Sequence, residues 1–171
     1  MAAILMIHHS SHHMRYHKHD IAKAQLETAV SIILNGQDRS SAITLAGAAS
    51  GILDTLVKRA GRETFVDYAR RVHEAQVGFT PKRKSYAHHI DKKLGVIAHK
   101  HLAQDDPETI DLDLERMAID AVSRAIQDYV SLNGQEEPFV KAFLQYAWTH
   151  SDGEKMMETY NAQPNRLKPK T

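Results

Sequence analysis

Cysteine is absent from the 171 residues, and that excludes thiol catalysis, cysteine-ligated zinc and iron–sulfur chemistry. The absence fits a reducing compartment, so a cytoplasmic location is expected. No unbroken run of eighteen apolar residues occurs, and no membrane span or membrane partner is expected. The first residues lack the long apolar centre and small-residue cleavage pattern of a secretory leader. Aromatic residues make up only 6% of the chain, which leaves few rings to interleave with basic side chains for stacking on bases. An excess of one charge is missing too: the formal net charge of +1 gives no global drive toward nucleic acid. Sustained strand alternation is found nowhere.

What is present suits one soluble domain. Hydrophobic residues at 42% and charged residues at 25% are ordinary values, and the length allows a core without metal or disulfide staples. Half of the twelve histidines fall between His8 and His19. Such tracts bind transition metals adventitiously, and residues 1–18 are read as a flexible leader rather than a metal site.

Helical periodicity organises the rest. A first helix is expected from an N-cap at Asp20 to a stop at Asn35-Gly36, burying Leu26, Ala29, Val30 and Ile33. A second follows Asp38 or Ser40 and ends near Gly61. Its middle, Ala46 to Gly51, is built of small residues only. Gly47 and Gly51 share a face at i,i+4, where a neighbouring helix or a ligand can approach closely. Because helical glycine costs up to about 1 kcal/mol relative to alanine, close packing is the expected compensation.

A third helix is expected from Glu63 to Gln76, with Phe65, Ala69, Val72 and Gln76 inward. Pro81 interrupts the basic loop that follows. The fourth is expected from Ser85 to Leu102, packing through Tyr86, Ile90, Leu94, Ile97 and His101. The fifth runs from Asp111 or Asp113 to Leu132, its acids favouring the positive helix end. Pro138 opens the sixth, and Ser151 with Glu154 forms a capping box for a seventh. Residues 163–171 are expected to fray. These elements predict an all-α, single-domain, irregular up-and-down bundle of six or seven helices over residues 19–162.

Charge is separated along the chain. Lys82, Arg83, Lys84, Lys92, Lys93 and Lys100 stand against Asp91 alone, whereas Asp105, Asp106, Glu108, Asp111, Asp113, Glu115 and Asp120 follow against Arg116 alone. Complementary faces of this kind can organise a homo-oligomer. Lys84, His89 and Lys93 offer positive charge to phosphate or to an acidic partner. Arg83 and His88 have the spacing of an arginine–x4–histidine pair, in which the guanidinium would stabilise a phosphate while the imidazole moves a proton. His88 and His99 would lie about 16 Å apart along one helix, too far to share a metal ion. His101 is placed on the packing side, with Asp105 within pairing distance along the chain. Asp54, Glu63 and Asp67 lack the Glu-x-x-His signature of bundle metal sites, so neither a metal nor a cofactor is expected.

The stretch Ile43-Thr-Leu-Ala-Gly-Ala-Ala-Ser-Gly-Ile-Leu53, with Lys100-His101 and the later Asp106-Pro107, resembles segments of a group of small all-helical bacterial proteins without a known activity. That resemblance implies a helical fold and no reaction. A looser one, through Arg83 and His88, is to HEPN-like helical domains, and it implies a metal-independent ribonuclease or RNA-binding protein. Three functions are therefore weighed: a homo-oligomeric structural or interaction module, such a ribonuclease, and a small-ligand binder with a cavity at Gly47, Gly51, Asp54 and His101.

Overall fold

The computed structural model describes residues 14–101 and 108–170. The histidines from His8 to His13, the proposed His101–Asp105 pair and the Asp106-Pro107 turn fall outside or partly outside them. Among the described residues the fold is all-α: α1 (Lys18–Leu34), α2 (Arg39–Arg59), α3 (Phe65–Val77), α4 (Arg83–Lys93), α5 (Leu114–Asn133), α6 (Pro138–Thr149), α7 (Gly153–Ala162) and a 3-10 turn, Asn165–Leu167. This is the single-domain irregular bundle that the periodicity predicts.

The core is a trio, α1, α2 and α5, with α6 closing against α1. Leu26, Val30 and Ile33 meet Ile43, Ala46 and Leu53 of α2 and Val122, Ala125 and Tyr129 of α5, all buried. Removal of such side chains from water is the main stabilising term. The four-residue connection from α1 to α2 is fixed by polar contacts. Asp38 accepts the backbone N–H groups of Ser40 and Ser41, and Arg39 donates to the carbonyls of Ile32 and Ile33 at the end of α1. Arg39 also forks onto Glu115 of α5.

Several element ends differ from the sequence expectation. His17 rather than Asp20 caps α1, its Nδ1 accepting the His19 N–H at 3.2 Å. Asp152 rather than Ser151 caps α7, accepting from Lys155 N at 3.0 Å. In α3 the fully buried residue is Val66, while Gln76, in the last turn, is exposed.

The largest correction concerns the fourth helix. It stops at Lys93, not Leu102, because Gly95 adopts φ +74, a left-handed conformation that glycine takes without a Cβ penalty. The turns that follow send Val96, 5% exposed, into the core in place of Ile97. They leave His101 exposed rather than packed, and His99 Nδ1 donates to the Gly95 carbonyl, 2.7 Å away. The helical separation expected between His88 and His99 therefore does not exist.

Glycine 47 has its packing partner in this turn. A Cβ there would lie 2.5 Å from Val96 Cγ1, whereas one on Gly51 would meet nothing within 4 Å. The α2 helix is long and apolar enough to cross a membrane by length and composition, although charged and polar residues interrupt its apolar run. Here its apolar stripe faces α1 and α5.

Candidate functional site

A cluster of charged side chains joins α3 and α4 to α2 and α5. Thr64 starts α3 by accepting the Asp67 N–H at 3.1 Å and donating to the Asp67 carboxylate at 2.8 Å. Arg83, in the first turn of α4, reaches back to this end. Its Nη2 lies 2.5 Å from Asp54 Oδ1 and its Nε 2.9 Å from Asp67 Oδ1. Nη2 also donates to Thr64 Oγ1. Burial opposes ionisation of Asp54, but Arg83 and Lys58 outweigh it and hold its carboxyl below the usual range. Burial likewise opposes ionisation of Asp67, and Arg83, Thr64 and Arg70 bring it down.

Two charged residues on the buried side of α5 extend the network. Arg124 is 5% exposed and donates through Nη1 to Asp91 of α4. Asp128 is 1% exposed, and its Oδ1 accepts the Phe65 backbone N–H at 2.7 Å. Dehydration pushes the Asp128 carboxyl up to about 6 against the opposing pull of the Phe65 N–H, with Asp54 raising it further. Arg124 Nε and Asp128 Oδ2 have no hydrogen-bond partner among the described residues. Of the two, Arg124 lines a cavity and Asp128 does not; buried charges of this kind occur both in functional sites and in structural ion-pair networks.

The cavity is a cleft of ≈ 370 Å³ between α3, α4 and α5. Phe65, Ala69, Ile90 and Leu94 form apolar walls; Lys93, Asp120, Ser123, Arg124 and Gln127 supply polar ones. Tyr86 and His89 stand together at its edge, ring centroids 6.2 Å apart, and Tyr86 also approaches His73 at 5.3 Å.

The residues singled out from the sequence are scattered relative to this cleft. His89 and Lys93 line it, and Lys84 is exposed on the same helix. Arg83 is turned inward onto Asp54 and Asp67. His88, five residues on, is exposed and about 140° around the helix from it. Asp54 belongs to the Arg83 cluster, Gly47 faces Val96 and Lys100, Gly51 is open, and His101 lies at the exposed end of the turns. None of these four lines the cleft. Among the described residues, no group of three or more histidine and acidic side chains is placed to hold a metal ion.

Arg124, Asp128 and Asp120 were not picked out by motif reasoning. Their signal is positional: Arg124 and Asp128 fall three residues beyond Ala121 and Ala125, within the apolar stripe of α5, where a charge needs a partner.

A second surface adjoins the cleft along α5, sharing Ser123 and Gln127 with it. Leu144, Trp148, Met156, Met157 and Tyr160 are 42%, 48%, 58%, 45% and 45% exposed. They border a groove of ≈ 510 Å³ floored by Ile126, Val130, Phe143 and Ala147. The α7 helix buries only Gly153, over which the Trp148 ring lies so closely that a Cβ would be 2.5 Å from it. Beyond α7 the segment 163–170, expected as a flexible tail, lies along α3. Arg71 donates to the carbonyls of Arg166 and Lys168, and Glu63 accepts from Lys170 N.

No family model, curated protein or solved structure matches the chain.

Proposed function

We propose that the protein is an interaction module that self-associates through the face formed by α6 and α7. The observation that carries this reading is the cluster of Leu144, Trp148, Met156, Met157 and Tyr160, each more than 40% exposed and gathered around one apolar groove. Large apolar side chains collected in this way mark a surface made to be covered. Methionine adapts to a partner's shape, and tryptophan and tyrosine concentrate binding energy.

A second copy fits the chemistry of this face. A two-fold interface sets the same patch against itself. The exposed rim of α7 carries Glu154, Lys155 and Glu158, so a two-fold copy can set opposite charges beside one another. A stable pairing buries about 800 Å² per partner, which asks for the exposed sides of both helices.

Sedimentation velocity over a concentration series tests the proposal. The wild-type chain is expected as a dimer, and Met156→Glu with Met157→Glu, both outside the core, is expected as a monomer with an unchanged helical circular dichroism spectrum. A wild-type chain that stays monomeric at about 100 μM, where even a modest dimer is populated, overturns it. So does a dimer that survives both substitutions.

A further inference from the structure

The cleft between α3, α4 and α5 holds opposite charges that the fold leaves unjoined. Lys93, in the last turn of α4, and Asp120, in the second turn of α5, both line it. No ion pair connects them. Asp120 meets Arg116 at 3.7 Å, and that arginine is 78% exposed, a contact worth little in water. Lys93 has no ion pair among the described residues. The two nevertheless sense each other: dehydration pushes the Asp120 carboxyl up, while Arg116 and Lys93 pull it back. Arg124 also lines the cleft, with one nitrogen on Asp91 and Nε without a partner among the described residues. Phe65, Ile90 and Leu94 complete the walls.

This lining selects by charge pattern. An apolar ligand would strip water from both ions and return nothing to them. A simple anion would meet Asp120, and a simple cation would meet Lys93 and Arg124. A molecule carrying both charges a few ångströms apart satisfies each wall. We propose that the cleft binds a small zwitterion, an α-amino acid with an apolar side chain. Its carboxylate engages Lys93 and Arg124, its ammonium engages Asp120, and its side chain rests on Phe65, Ile90 and Leu94. The volume of ≈ 370 Å³ lies at the small end of ligand cavities and suits a leucine- or phenylalanine-sized molecule. Because Lys93 and Asp120 stay partly hydrated, affinity is in the millimolar range.

Calorimetric titration with L-phenylalanine and L-leucine, at up to about 10 mM, tests this directly. N-acetyl-L-phenylalanine, which lacks the ammonium, and L-phenylalaninamide, which lacks the carboxylate, serve as controls. The free amino acids are expected to bind and both controls to fail. Asp120→Asn and Lys93→Gln, at exposed positions, are each expected to weaken binding roughly tenfold with circular dichroism unchanged. The proposal is overturned if neither amino acid binds, if either control binds as well as phenylalanine, or if both variants bind like the wild type. None of these outcomes bears on whether the α6–α7 face self-associates.

Discussion

Asp128 accepts the backbone N–H of Phe65 at 2.7 Å, so a carboxylate buried on α5 holds the first residue of α3. The contact comes with a penalty, since dehydration pushes this carboxyl from 3.8 up to about 6. A raised acid stabilises the fold fully below its unfolded value, and that stabilisation is lost as pH rises through the folded value. At about 1.4 kcal/mol per unit, Asp128 alone takes away on the order of 3 kcal/mol between pH 4 and pH 7. Asp54 and Asp67 act in the opposite sense. Their folded values are depressed, so what they contribute is lost only as pH falls below their ordinary range. Asp128→Asn keeps the acceptor for Phe65 and removes the charge. Urea denaturation from pH 4.5 to 7.5 should show the variant gaining on the wild type as pH rises, most of the gain falling below about pH 6 and the difference levelling off above it. Parallel pH profiles would show that Asp128 is not the group responsible.

Arg83 ties α4 to two other helices through Asp54 and Asp67. Arg83→Met removes the cation and leaves two half-buried carboxylates facing each other. The expected loss is about 2 kcal/mol, below the cost of breaking a fully buried pair because the cluster is partly hydrated. Arg83→Lys should recover little, since a single ammonium cannot reproduce the fork. Unfolding midpoints of the three proteins decide the matter, and wild-type stability in Arg83→Met would refute the tether.

Two glycines one turn apart on α2 should respond oppositely to the same change. Gly51→Ala places a methyl in open space and gains helix propensity, up to about 1 kcal/mol. Gly47→Ala drives a methyl into Val96, whose branched side chain has little rotamer freedom. It should lose about 1–3 kcal/mol from overpacking. Thermal melting distinguishes them, and a stabilised Gly47→Ala would show that the turn at Val96 yields easily.

Gly153→Ala sets a methyl against the Trp148 ring. The ring or α7 has to move, which should alter the tryptophan emission and speed proteolysis within residues 153–162 while the global melting temperature changes little, because α7 contributes no large residue to the core. Unchanged emission and cleavage would mean that the ring tilts away at no cost to the helix.

The helices themselves are legible because each core face repeats at three and four residues, and because Asp38, Pro138 and the Asn-Gly pairs at 35–36 and 133–134 carry start and stop chemistry in their own side chains or backbone. The length of α4 is misread for an equally local reason. Its apolar stripe continues past Lys93 on paper, and Gly95 outweighs it by offering a left-handed turn that periodicity does not weigh. His101 follows that error outward. The cleft is illegible in a stronger sense. Phe65, Lys93, Asp120 and Arg124 come from three helices, and their meeting depends on how α3 and α4 seat against α5. Motif spacing within one helix, such as Arg83 with His88, reports nothing of that seating. The inward turn of Arg83 is set by Asp54 and Asp67, far away in sequence.

The segment after Ala162 changes what α7 is mechanically. At one abutment Gly153 slides beneath Trp148; at the other, Arg71 grips the carbonyls of Arg166 and Lys168. The helix is thus a span held at both ends, with little fastening along its length. Cutting the chain after residue 162 would remove one abutment and turn α7 into a cantilever, so residues 163–170 set how rigidly its methionines are presented.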